Sequence, residues 1–199
     1  MIILISLLKI ARVEYGGGGD WYNDPEILPN ITKEFNSRVS PIFDTNAYSV
    51  RLSSPEIYEY VMLFITGHDG IRFSDEEIKN LRKYLENGGF LYVDDDYGLD
   101  SAFRREIKRV FPEYELVEIP PDHPIFHIFY DIPLPKVHEH YPGTPKAYGI
   151  FIRGRLAVLY TWNSNVSDGW TDRYGDPPDV REKAIRMGIN ILYYAVMGI

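Results

Sequence analysis

Three segments of this sequence gather side chains able to do chemistry: Gly16-Gly17-Gly18-Gly19-Asp20-Trp21, Gly67-His68-Asp69-Gly70 and Asp94-Asp95-Asp96. Cysteine is absent, which removes thiolate nucleophiles and cysteine-rich metal sites and leaves histidine, carboxylates and hydroxyls. In extended backbone Asp94 and Asp96 share a face and Asp95 takes the other. Adjacent carboxylates repel unless a proton, a basic group or a divalent metal relieves them, so the trio predicts perturbed acids suited to a base or metal-ligand role. His68 is the predicted partner as acid, base or ligand. The bland alternative is a solvated, helix-capping turn beside a hydrogen-bonded loop histidine.

Gly18 and Gly19 would let backbone approach a ligand closely. The run nevertheless lacks the lysine and hydroxyl of a P-loop, and Trp21 stands where a dinucleotide motif needs glycine. A tight turn is the competing reading. His123 and His127 have zincin spacing, but Pro124 and Phe126 replace its chemistry, so that motif is rejected and His123 is kept only as a ligand contact. His138 and His140 share a face in an extended segment and could chelate a divalent metal, although two ligands do not complete a site. Trp21, Trp162 and Trp170 each border polar loop residues. Flat rings beside Asn and Asp suit a carbohydrate-like ligand, and equally suit anchoring of loops to a core. Asn30-Ile31-Thr32 and Asn165-Val166-Ser167 match the glycosylation sequon, which carries meaning only in a eukaryotic secretory context.

These segments must be held by some 200 residues' worth of core. The 199 residues carry 21 basic and 29 acidic side chains, a formal charge of −8, and the length favours one domain, residues 1–199, stable without staples. The acidic balance opposes counterion-release binding to nucleic acid or an anionic membrane. The chain lacks glutamine as well as cysteine, and Ile and Tyr are plentiful, a bias expected of a hot-environment source that avoids labile side chains. The apolar run Met1–Leu8 is too short to span a bilayer and lacks a signal peptide's flanks, so residues 1–9 are expected to form a strand or terminal arm. A cytoplasmic location is the expectation, with export the alternative should that run be a signal remnant. Nothing in the sequence specifies an oligomeric state.

Apolar periodicity supplies the elements. Residues 10–15 read as a strand, Asn30 as the cap of a short helix bearing Ile31 and Phe35, and residues 48–52 as a weak strand. The run 60–65 reads as a strand buried on both faces. Ser74 and Glu77 make a capping box for a helix ending at Asn87-Gly88-Gly89, and residues 90–93 form another buried strand. A helix follows from about Ser101 and stops at Pro112. Residues 114–119 read as a strand, 151–160 as a hairpin turning at Arg153-Gly154, and Asp179 with Glu182 as the capping box of a closing helix. Alternating strands and helices predict a three-layer, doubly wound α/β domain with a mostly parallel sheet. In such folds ligands bind beyond the strand carboxyl ends, where the three chemical segments fall.

The string Ala11-Arg12-Val13-Glu14-Tyr15-Gly16-Gly17-Gly18-Gly19-Asp20-Trp21-Tyr22, with Leu28-Pro29-Asn30, resembles the opening of family 4159 of the domains of unknown function. Thr66-Gly67-His68, Gly88-Gly89-Phe90-Leu91 with Asp94-Asp95, Phe103-Arg104-Arg105-Glu106, Pro121-Asp122-His123-Pro124-Ile125-Phe126 and Gly188-Ile189-Asn190 resemble its later blocks. The resemblance implies a class I glutamine amidotransferase-like, flavodoxin-like fold similar to the trehalose-utilisation (ThuA-like) group. Amidotransferases of that fold carry a cysteine on the turn after a central strand. Here that turn holds aspartates, so glutamine hydrolysis is not expected.

The functional expectation is therefore a small polar ligand, carbohydrate-like, in a crevice formed by Gly18, Gly19, Asp20, Trp21, Asp96, His123, Trp162 and Trp170. His68, Asp94 and Asp95 are its candidate catalytic groups and His138 and His140 its candidate metal ligands. Two other readings stand beside it: a non-catalytic interaction or scaffold module, and a metal-dependent hydrolase using the Asp/His cluster.

Overall fold

The computed structural model describes residues 6–198. Most of the apolar opening run, residues 1–5, lies outside them; Leu8 forms a parallel bridge with Phe43 ahead of the first strand. The strands are β1 (Ile10–Val13), β2 (Ser49–Val50), β3 (Met62–Ile65), β4 (Phe90–Asp94), β5 (Val117–Glu118), β6 (Lys146–Ile152) and β7 (Arg155–Trp162). The helices are α1 (Ile27–Arg38), α2 (Asp75–Glu86), α3 (Asp100–Val110) and α4 (Pro178–Met197). All strands join one sheet in the order β2-β1-β3-β4-β7-β6-β5.

Alternation along the strands divides the core. Ala11, Val13, Leu63, Ile65, Leu91 and Val93 pack with α2 and α3 on one face. Ile10, Met62, Phe64, Phe90 and Tyr92 pack with α1 and α4 on the other. Each fully buried large side chain contributes roughly 1.5–3 kcal/mol of transfer free energy, and both faces of β3 and β4 are wholly covered, which is why these strands read as unbroken apolar runs.

The sheet is mixed, which corrects the expectation of a mostly parallel one. β2, β1, β3, β4 and β7 run parallel to their neighbours, whereas β6–β7 and β5–β6 pair antiparallel. The cause is local. Arg153 and Gly154 both take positive φ, 52° and 82°, as a two-residue hairpin turn requires. This turn folds β7 back along β6 and leaves β5 as a short antiparallel edge.

Three boundaries also differ. α1 begins at Ile27, upstream of Asn30, whose amide instead donates to the Trp170 carbonyl. α4 has no side-chain cap: Asp179 pairs with Lys183, and Glu182 with Arg38 and Arg186. Of residues 114–119 only Val117–Glu118 pair as strand. The Ser74–Glu77 capping box forms in both directions.

The carboxyl ends of β1, β3, β4 and β7 lie together because these strands are parallel. From β1 the chain steps to β2 on one side and to β3 on the other, so the loops after β1 and β3 stand at a switch point of strand order, the place where ligands bind in such sheets.

Candidate functional site

The loop after β1 is pinned by backbone. Arg72 N–H donates to the Gly16 carbonyl at 2.7 Å and Gly19 N–H to the Gly70 carbonyl at 3.0 Å. Gly19 lies so close to the neighbouring loop that a Cβ there would stand 2.5 Å from the His68 carbonyl oxygen. From below, the buried Arg12 guanidinium donates to the carbonyls of Trp21, Asn23 and Asp24. The glycine run is thus a packing device that seats Asp20 against His68. Gly18 faces open space.

Asp20 accepts the His68 backbone N–H at 2.6 Å through Oδ1 and faces its Nδ1 at 3.0 Å through Oδ2. The other ring nitrogen, Nε2, lies 3.4 Å from Asp96 Oδ2. Burial opposes both charges in the first pair, yet the hydrogen bonds between them prevail. They hold the Asp20 carboxyl below its ordinary range and, with the Asp96 charge, the His68 imidazole above its own. His68 keeps 42% of its side chain exposed, whereas Asp96 keeps 7%. Burial first, and then the Asp168 carboxylate, push Asp96 up to about 7.

The aspartate trio divides as strand alternation requires. Asp94 reaches the loop after β7, accepting from Thr161 Oγ1 at 2.5 Å and Ser167 N–H at 2.6 Å. It is fully buried, and burial raises its carboxyl to about 6. Asp95 turns to the other face, accepts from Leu99 N–H at 2.9 Å at the start of α3 and, again through burial, rises to about 6. Both are closed to solvent and occupied with backbone or hydroxyl partners, so of the trio Asp96 alone joins His68.

The structure brings in residues that the sequence reading passed over. The loop after β7 supplies Asn165 and Asp168; Asn165 Nδ2 donates to Asp96 Oδ1 at 2.9 Å and Asp168 Oδ2 at 3.1 Å. The loop after β1 supplies Asn23, which donates to Asp96 at 3.1 Å, and Asp24, which is bound by Arg173 at 2.6 Å and by the Tyr174 hydroxyl at 2.5 Å. Asp24, Asn163 and Asn165 hold left-handed backbone, φ 47°, 55° and 51°. Asn and Asp tolerate this conformation better than other side chains, and it recurs where a functional loop is constrained. Their signal in the sequence is position, in loops after two parallel strands, and Asn165 also opens a sequon.

His138, a candidate metal ligand with His140, is held here between two aspartates. Its Nδ1 lies 2.9 Å from Asp168 and its Nε2 3.1 Å from Asp176, and the Asp168 hydrogen bond raises it to about 9 against burial. The His140 ring sits 6.3 Å away, and burial lowers its affinity for a proton.

Other candidates lie elsewhere. His123 caps the 3-10 turn at Pro124–Phe126 and packs on Phe151 and Tyr194. Tyr194 in turn packs on Phe90, the first residue of β4, so His123 belongs to the opposite end of the sheet. Trp170 is buried between Phe64 and Tyr92 and donates to the Ala184 carbonyl, a core anchor with no ligand face. Trp162 stacks on Tyr141, which stacks on the half-exposed Tyr97 next to Asp96. Trp21 is half-buried beside Asp20 and Tyr22. A cavity of about 530 Å³ lies away from this chemistry, between Ile119, Phe126, Leu134 and Ala147 near β5 and β6.

Among the described residues no helix is long and apolar enough to cross a membrane. No curated protein matches the sequence. Residues 9–196, nearly the whole chain and every described strand, match the model of a family described as a domain of unknown function, DUF4159, and the protein belongs to that family.

Proposed function

We propose that this protein binds a small, uncharged polar ligand of carbohydrate-like chemistry in the crevice over β1, β3 and β4, with His68 as the group that meets its hydroxyls. The observation that carries the reading is the imidazole fixed between Asp20 and Asp96, one ring nitrogen on each. A carboxylate on Nδ1 sets the orientation and tautomer of the ring and leaves Nε2 the working nitrogen. Asp20 stands beside His68, and Asp24, Asp96 and Asp168 are buried near it, a field that repels anions. The exposed ring of Tyr97, whose backbone bridges to His68, offers a face to apolar C–H surfaces. If turnover accompanies binding, His68 and Asp96 are the pair placed to move a proton. Neither Asp94 nor Asp95 has a part in that step. The layer arrangement and the switch between β1 and β3 support reading the domain as glutamine amidotransferase-like, with the cysteine's turn given over to aspartates.

Thermal-shift and calorimetric titration of the full chain with a panel of monosaccharides and polyols tests this reading. A stabilisation that His68→Ala abolishes and Asp94→Asn keeps supports it. No response to any member, or a response indifferent to His68→Ala, overturns it in favour of an interaction module.

A further inference from the structure

We propose that Asp24, Asp96 and Asp168, joined by the side-chain oxygen of Asn165, form a site for a hard divalent cation of the calcium class. One oxygen from each of the three buried carboxylates lies within 4.8 Å of the other two. Two oxygens that share one calcium ion at 2.3–2.6 Å stand at most about 5.2 Å apart and three spaced evenly around it about 4.5 Å, so side-chain shifts of a few tenths of an ångström close this set on a single ion. Magnesium, at 2.0–2.1 Å, requires about 4.2 Å or less and near-octahedral order. The donors are all oxygen, which selects a hard cation over zinc or copper.

Asn165 is an independent observation. It is fully buried, its Nδ2 donates to Asp96 and Asp168, and its Oδ1 has no hydrogen-bond partner. An orphaned buried acceptor costs about 1–3 kcal/mol. A half-turn of the amide exchanges its nitrogen and oxygen. The oxygen then occupies a point 2.9 and 3.1 Å from one oxygen of Asp96 and one of Asp168. Three oxygens so close repel one another unless a cation lies among them, and roughly 3.0–3.5 Å is the spacing of neighbouring oxygens around one such ion.

The present partners of the carboxylates set the competition. Asp24 holds Arg173 and the Tyr174 hydroxyl, Asp96 holds Asn23 and faces His68, and Asp168 holds His138. Each carboxylate oxygen has a second lone pair for a metal. Arg173, half-exposed on the segment before α4, is the cation free to swing away. The site shares Asp96 with the ligand crevice but needs neither His68 nor a carbohydrate.

The test is calorimetric titration of EDTA-treated, dialysed full-length protein with CaCl₂, and in parallel with MnCl₂ and MgCl₂. Saturable binding of one equivalent of calcium is expected, weakened at least tenfold by Asp168→Asn and tightened severalfold by Arg173→Gln. Should Asp168→Asn fail to fold, Asp24→Asn, on a different loop, carries the same expectation. His68→Ala is expected to keep the cation while losing any carbohydrate response, so failure of one reading is distinguishable from failure of the other. Absence of heat with calcium overturns the proposal, as does equal binding by wild type, Asp168→Asn and Asp24→Asn. Tighter binding of magnesium overturns the calcium-class assignment.

Discussion

The Asp20 carboxylate grips His68 twice, taking its backbone N–H with one oxygen and facing its ring Nδ1 with the other. One side chain from the loop after β1 therefore fixes both the path of the loop after β3 and the aim of the imidazole. Asp20→Asn leaves one oxygen where two acceptors are used. A loss of about 1–3 kcal/mol is expected in urea unfolding, with no change of m-value.

Gly19 and Gly18 separate close packing from backbone strain. A Cβ at Gly19 would lie 2.5 Å from the His68 carbonyl oxygen and 2.8 Å from that of Gly70, neither of which can give way without moving the loop. Gly18 faces open space but has φ +93°. Gly19→Ala is expected to cost at least about 2 kcal/mol and to abolish any ligand response. Gly18→Ala should cost about 1 kcal/mol and keep it, as read by thermal denaturation and the same titration.

Asp94 is enclosed by the loop after β7 whereas Asp96 faces His68, so their asparagine variants should part company. Asp94 binds the Ser167 N–H and the Thr161 hydroxyl in full burial. Asp94→Asn keeps one acceptor, and a drop of about 1–3 kcal/mol in stability with unchanged ligand affinity per folded molecule is expected. Asp96→Asn should weaken binding more than it lowers the melting temperature.

Acid sensitivity is expected to reside in Glu106 on α3. Burial alone would raise this carboxyl, but the Phe73 N–H and the guanidinium groups of Arg105 and Arg109 hold it below the ordinary glutamate range. With the folded value depressed, its stabilisation is complete above the unfolded value of about 4.3 and is lost as the pH falls through the folded one. Glu106→Gln should lower stability at pH 7 by about 1–2 kcal/mol and flatten the pH dependence below about 4.3 in a denaturation series.

Much of the scaffold is readable because it follows from neighbours in sequence. The apolar runs in β3 and β4, the Ser74–Glu77 box and the Arg153-Gly154 turn are local devices, satisfied within a few residues of themselves. So is the placing of Asp20, His68 and Asp96 at strand ends on one rim. Where a distant partner intervenes, local reading misplaces the residue. Asn30 looks like a helix cap but serves the Trp170 carbonyl, Glu182 looks like half of a capping box but binds Arg38, and Trp170 borders polar residues yet fills the core between Phe64 and Tyr92.

The residue chemistry was set by sequence alone: a chain without thiols, acidic in balance, with a lone histidine and aspartates after successive parallel strands. Which of those acids face one another was decided by tertiary structure. Asp24 and Asp168 stand 144 positions apart and meet because β1 and β7 end on the same side of the sheet and their loops fold inward. His138 sits between Asp168 and Asp176 for the same reason. Periodicity and capping act over one or two turns of chain, whereas burial and the pairing of charges depend on which distant loops the sheet brings within a few ångströms.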